Sequence, residues 1–275
     1  MMETFNETPN ASELKQLEKN KVHLGNCFDL FPHIEKGSVS LIVCDGPYGV
    51  TNHEWDKISN IQDYNLKLIK EFSRILKPGG TAYLFGKSNG IHFIDYTPYL
   101  KYEDTIVWSQ MSRLSQGRKK LTNNYDAIFY FSKEGGEKTF NLDDIRVPQM
   151  VSKEQRARVE NVPSVVNGKY GKTKYNENGK NPGNVWSHIK QLTYKSKELI
   201  GKEFLNTIQK PEELIKLLVK ASSNSGDLVL DPFSGVGTTF SVCKQLDRDF
   251  IGFEINPKYV EVTNERIEKL SQSAE

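Results

Sequence analysis

Apolar residues recur along this chain in two rhythms, short continuous runs and longer stretches at helical spacing, and their alternation predicts the architecture. Lys21-Val-His-Leu-Gly25 reads as a short strand, Cys27 to Ile34 as a helical turn, and Val39-Ser-Leu-Ile-Val-Cys44 as a strand buried on both faces. Asp63 to Leu76 sets Leu66, Ile69, Phe72 and Leu76 at helical spacing and stops before Lys77-Pro78-Gly79-Gly80, a strong helix end. A strand over Thr81 to Phe85, a helix over Ile91 to Tyr99, a strand over Asp104 to Trp108, a polar loop from Ser109 to Asn124 and a strand over Asp126 to Phe131 follow. Between Lys133 and Asn206 the rhythm fails, and Gly, Asn, Lys and Pro dominate. It resumes with a helix opened by Lys210-Pro211-Glu212-Glu213 and running to Ala221. Strand Leu228 to Leu230, helix Thr238 to Leu246, strand Phe250 to Phe253 and helix Pro257 to Leu270 complete the pattern. This succession predicts an α/β fold around a mostly parallel sheet, interrupted by an irregular insert.

The 275 residues suffice for one large domain carrying an inserted module. No apolar run reaches the roughly 18 residues of a membrane span. Met1 to Asn20 is polar and acid-containing, which argues against a secretory signal and for a flexible lead, so a cytoplasmic protein with no membrane partner is expected. Cys27, Cys44 and Cys243 lie far apart and are expected to be free thiols. His23, His33, His53, His92 and His188 never reach zinc-ligand spacing, so no metal site is expected. The net charge of +2 matters less than its distribution: Val151 to Lys202 holds eleven Lys or Arg against four Asp or Glu, interleaved with Tyr170, Tyr175, Trp186 and Tyr194. That composition suits a phosphate backbone and unstacked bases, the plain alternative being a solvated surface loop.

Two short runs carry the candidate chemistry. Asp45-Gly46-Pro47-Tyr48 directly follows the buried strand, where an open α/β sheet places its reactive groups, although a strand-end Asp-Gly-Pro is by itself also an ordinary turn. Asp231-Pro232-Phe233-Ser234-Gly235-Val236-Gly237-Thr238-Thr239 turns from a strand into a helix through two glycines, which let a ligand approach the backbone and aim helix N–H groups at it. No lysine follows Gly237, so this is not a P-loop. Glu254, ending the next strand, can accept from both hydroxyls of a ribose.

The second run resembles the S-adenosylmethionine motif of DNA amino-methyltransferases, and Asp45-Gly46-Pro47-Tyr48 is similar to the Asp-Pro-Pro-Tyr catalytic motif of that family, ahead of a loop with Trp55-Asp56. The resemblance runs from about Val22 to Leu270. With the catalytic motif first, the basic insert between and the cofactor motif last, it is that of the β group: a Rossmann-like methyltransferase fold with circularly permuted motif order. It implies a methyltransferase domain over residues 21–275, a target-recognition insert over approximately 134–206, and S-adenosylmethionine as cofactor. The implied partners are double-stranded DNA with a flipped target base, a second copy of the chain, and a separately acting restriction endonuclease.

The resemblance also assigns residues. Asp45 and the Gly46 carbonyl would accept the two protons of an exocyclic amine, exposing the nitrogen lone pair to the sulfonium methyl, while Pro47 constrains the turn and Tyr48 stacks on the base. Asn26 and Cys27, in Gly25-Asn26-Cys27-Phe28, would lie by the cofactor adenine; Asn26 alone reads equally as a turn residue. Lys210 would meet the methionine carboxylate, and Asp231, Phe233, Ser234, Gly235, Gly237, Thr238, Thr239 and Glu254 complete the cofactor site. Lys87 and Ser88 fall where the family lines the pocket between cofactor and base, residue types too ordinary for the resemblance to assign. In the insert, Arg156, Arg158 and Lys172 can read guanines or hold phosphates.

The chain departs from the family at Asn206-Thr207-Ile208, where members often have His-Pro, and at Gly46, where proline is usual. Glycine there frees the backbone of Asp45, so two outcomes follow: an active enzyme slowed several-fold, or a catalytically weak methylase-like DNA-binding protein. Asp rather than Ser at the head of the motif favours N6 of adenine over N4 of cytosine. A substrate of RNA or a small molecule is disfavoured by the long basic insert.

Overall fold

All six residues of Val39–Cys44 are buried, so this strand must be covered on both faces, and it lies inside an eight-stranded sheet. The computed structural model describes residues 16–50, 56–110, 119, 121, 123–150, 152–159, 163–166, 169–172, 175–193, 195–200 and 209–272. Most of the expected N-terminal lead, Trp55, Tyr194, Asn206-Thr207-Ile208 and the side chains of Ser88, Arg158, Tyr170 and Lys172 lie outside the described residues.

In chain order the elements are β1 (Lys21–Leu24), α1 (Cys27–Leu30), β2 (Val39–Cys44), α2 (Ile61–Ile75), β3 (Leu76–Gly86), α3 (Ser88–Ile91), β4 (Lys101–Ser109) and β5 (Tyr125–Ser132). They continue with α4 (Lys153–Val159), β6 (Pro163–Val166), β7 (Lys169–Lys172), β8 (Val185–Trp186), α5 (Glu212–Ser222), β9 (Leu228–Asp231), α6 (Thr238–Gln245), β10 (Asp249–Glu254) and α7 (Pro257–Gln272). The sheet order is β1-β10-β9-β2-β3-β5-β4-β8, with β6 and β7 forming a separate hairpin. β1, β10, β9, β2 and β3 run parallel, β5 is antiparallel to both its neighbours, and β8 is parallel to β4.

The alternation of side chains along β2 feeds two cores. Val39, Ile42 and Cys44 pack with Leu68, Ile69, Phe72 and Ile75 of α2, whereas Leu41 and Val43 pack with Leu214 and Leu218 of α5 and Phe240 and Val242 of α6. From β2 the chain proceeds to β3 on one side, and from β9 to β10 on the other. The strand order therefore reverses between β2 and β9, which opens a crevice at their carboxyl ends. Ile42 pairs with Leu230 there, a register that sets Asp231 level with Val43 and brings the turn after Asp45 alongside Phe233.

Three expectations change. The helix over Ile91 to Tyr99 does not form: α3 is a single turn over Ser88–Ile91, because Pro98 restricts Thr97 and Asp95 accepts from the Thr97 N–H (3.2 Å) and hydroxyl (2.6 Å). β3 begins at Leu76 rather than Thr81, running through the glycines that end α2. Gly79 has φ +78°, and a Cβ there would stand 2.2 Å from the Glu137 carbonyl oxygen, so only glycine admits the passing chain. Trp186, read with the basic insert as a surface aromatic, is 3 % exposed in β8, its Nε1–H donating to the Gly183 carbonyl at 2.8 Å. The insert's later part thus re-enters the sheet edge, and Trp108 Nε1–H donates to the Ile189 carbonyl at 2.9 Å to hold it there. All three cysteines are free and buried, and no described helix is long and apolar enough to cross a membrane.

Candidate active site

Asp45 stands where β2 ends, and two side chains converge on its carboxylate. The Tyr48 hydroxyl donates to Oδ1 at 2.5 Å and the Lys210 ammonium to Oδ2 at 2.6 Å. Lys210 is 6 % exposed, lodged 5.2 Å from the Phe85 ring centre and 6.0 Å from that of Tyr48. Burial, reinforced by the charge of Asp45, pushes the Tyr48 phenol well above its ordinary value, so the ring donates as a neutral hydroxyl. Lys210, expected to meet a cofactor carboxylate, pairs here with the catalytic candidate.

The turn after Asp45 is held by a residue that the sequence marks only as part of a loop. Asp56, 2 % exposed, accepts at Oδ1 from the backbone N–H of Tyr48 (2.6 Å) and Gly49 (2.8 Å), and at Oδ2 from that of Val50 (3.0 Å). An aspartate several residues downstream of a turn has no spacing signature, so only the folded loop reveals it. Lys87, at the end of β3, lies 5.6 Å from the centre of the Tyr48 ring and 3.5 Å from Asp126, which also accepts from Gln110 Nε2 at 3.2 Å.

On the other side of the crevice, the glycine loop is fixed by its own side chains. Asp231 accepts from the Phe233 N–H at 3.0 Å and the Thr239 hydroxyl at 2.5 Å; Ser234 donates from both its N–H (2.9 Å) and its hydroxyl (2.8 Å) to the Phe253 carbonyl. Glu254 accepts from the N–H groups of Gly235 and Asn256, each at 2.8 Å. Gly237 (φ +79°) precedes Thr238, the first residue of α6, and a Cβ on it would strike Thr263 Cγ2 at 2.3 Å. Beside Gly235, by contrast, no heavy atom outside its chain neighbours lies within 4 Å of a Cβ position, so there is space on that side of the loop, while its N–H is taken by Glu254 and its carbonyl accepts from the Thr263 hydroxyl at 3.1 Å. Asn26 caps α1, its Oδ1 accepting from the Phe28 N–H at 3.0 Å, and Cys27 packs in the core with its thiol pushed up by burial to about 12. Both follow the β1 end beside Glu254, where the Gly25 N–H donates to the Glu254 carbonyl at 2.9 Å.

The two runs touch. A Cβ on Gly46 would stand 3.0 Å from Phe233 Cε2, so the phenylalanine of the glycine loop lies against the backbone of the strand-end turn. Gly46→Ala is therefore expected to push the half-buried ring aside by tenths of an ångström and to change stability by less than about 1 kcal/mol, read as a urea midpoint near the parent's.

Burial raises the carboxyl groups of Asp231, to about 7, and of Glu254. For Asp231 the folded value lies above the unfolded 3.8, so its contribution to stability is full below about pH 4 and is lost as pH rises toward 7. Asp231→Asn should flatten that decline, removing a slope of up to about 1.4 kcal/mol per pH unit from urea-unfolding measurements across the window.

A family profile described as DNA methylase, of the N6/N4 methyltransferase type, matches residues 39–265. Among curated proteins, the type II methyltransferase M1.MboII of Moraxella bovis is 33 % identical over 257 residues, covering 90 % of this chain and 96 % of the relative. The DNA adenine methyltransferase YhdJ of Escherichia coli K12 is 33 % identical over 263 residues, covering 92 % and 84 %. Among solved structures, the M1.HpyAVI–SAM complex superposes with a TM-score of 0.56 at 20 % identity, covering 90 % of this chain and 98 % of that one.

Proposed function

Because the chain belongs to the N6/N4 DNA methylase family, we propose that it methylates the exocyclic N6 of adenine at a specific sequence in double-stranded DNA. It is a DNA amino-methyltransferase of the restriction–modification type, dependent on S-adenosylmethionine. The observation that carries the reading is the contact of Gly46 with Phe233, which joins the amine-accepting turn to the glycine loop across the crevice.

The crevice residues fit the cofactor: open space on the Cβ side of Gly235, the Glu254 carboxylate at the end of β10, and the Lys210 ammonium. S-adenosylmethionine supplies an electrophilic methyl group on its sulfonium. Asp45 and the Gly46 carbonyl hold the amine and turn its lone pair outward, and Tyr48, once it gives up Asp45, stacks on the flipped base. Glu254 would bind the ribose, Lys210 the methionine carboxylate, and the ends of β1 and β10 the adenine. The described basic positions of the insert, Arg156 among them, would carry phosphate contacts or base reading.

Adenine is favoured by the aspartate at position 45 and by the likeness to YhdJ; N4 of cytosine is the second reading, since the family includes both. The weak-enzyme alternative opened by Gly46 is disfavoured by Asp56, whose three backbone hydrogen bonds supply rigidity that the missing proline does not. Action in the cytoplasm, pairing of two copies and a companion endonuclease complete the proposal. Chromatography of DNA from cells expressing the chain tests it: N6-methyladenine at one sequence is expected, and N4-methylcytosine alone would overturn the choice of base.

A further inference from the structure

Lys210 is a buried ammonium with one strong acceptor, Asp45 Oδ2 at 2.6 Å, and Asp45 Oδ1 is taken by Tyr48 at 2.5 Å. Both oxygens of the amine acceptor are thus engaged by the protein's own donors. Lys210 also lies between the rings of Phe85 and Tyr48, on the ground that a base stacked on Tyr48 must approach. Methyl transfer requires Asp45 to accept from the target amine, so this arrangement has to open.

We propose that Lys210 is shared between two anions, Asp45 and the methionine carboxylate of the cofactor, and that its transfer to the second frees Asp45 for the target base. The inference rests on the placement of the methionine end beside Lys210 given above. Its physical content is competition. A buried ammonium leaves a carboxylate only for another acceptor of comparable strength, because an unpaired buried charge is costly. The cofactor offers such a carboxylate, and its sulfonium also repels the ammonium from the reaction centre. Lys210 would then be a positioning residue that makes engagement of the base follow cofactor binding.

S-adenosylhomocysteine is the suitable probe, since it carries the carboxylate without the sulfonium charge and undergoes no turnover. Its dissociation constant, measured by titration calorimetry, forms a double-mutant cycle over Asp45→Asn and Lys210→Met, with thermal melting to verify folding. Asp45→Asn is expected to tighten S-adenosylhomocysteine about fivefold where Lys210 is present and to leave it unchanged where Lys210 is methionine. Lys210→Gln should give the same loss of coupling, and Lys210→Arg should preserve it. An equal effect of Asp45→Asn in both backgrounds, or weaker binding on removing the aspartate charge, overturns the shared counter-ion. Failure of the unmutated chain to bind S-adenosylhomocysteine at all would instead overturn the placement of the cofactor.

Discussion

Asp45→Ala is expected to retain cofactor binding while losing methyl transfer by at least about a hundredfold, the scale seen when a preorganised group facing developing charge is removed. The exocyclic amine of adenine or cytosine is a poor nucleophile because its lone pair is delocalised into the ring. Attack on the methyl group places positive charge on that nitrogen, and the carboxylate at the end of β2, once Lys210 and Tyr48 release it, is placed to meet that charge. The glycine loop is held by Asp231, Ser234 and Glu254 through hydrogen bonds that do not involve Asp45. Single-turnover transfer from labelled S-adenosylmethionine, beside calorimetric binding of S-adenosylhomocysteine, separates the two effects. A variant that keeps more than about a tenth of the rate would remove Asp45 from the chemistry.

Asp56→Ala should damage the enzyme in a different way. It leaves the N–H groups of Tyr48, Gly49 and Val50 without the acceptor they use in this structure, at about 1–3 kcal/mol for each that finds no water. A stability loss of about 3 kcal/mol is expected, with kcat lowered at least about tenfold as Tyr48 loses its place beside Asp45. Asp56→Asn should fall between, because the amide keeps one oxygen for Tyr48 and Gly49 but turns a donor toward the Val50 N–H. Urea unfolding and single-turnover rates measured on both variants test this ordering. An alanine variant as stable and as fast as the parent would show that the loop is held by other means.

Asp56 also marks how far the sequence could be read. Asp45 was identifiable because it ends a contiguous apolar run and opens a motif of four residues; Asp56 lies beyond a turn whose path no local pattern specifies. Lys210 was assigned to the cofactor by resemblance, and its pairing with Asp45, 165 residues away, follows from how α5 packs beneath β2. Trp186 was grouped with the basic surface by composition, yet the short pairing of β8 with β4 draws it into the core. Gly46 reads in the sequence only as a lost proline, whereas the fold sets the Phe233 ring 3.0 Å from where a Cβ would stand.

The sequence by itself determined the strands outside the insert and most of the helices, the two motifs and their order, and through these the family. Each is written in neighbouring residues as apolar spacing, glycine or proline punctuation, or a run at a strand end. Tertiary structure alone decided the partners of the site: Lys210 and Tyr48 on Asp45, Asp56 under the turn, and Phe233 against Gly46. Those contacts depend on sheet register and on the packing of distant segments, whose energies require both partners to be in position and leave no trace in either stretch of sequence alone.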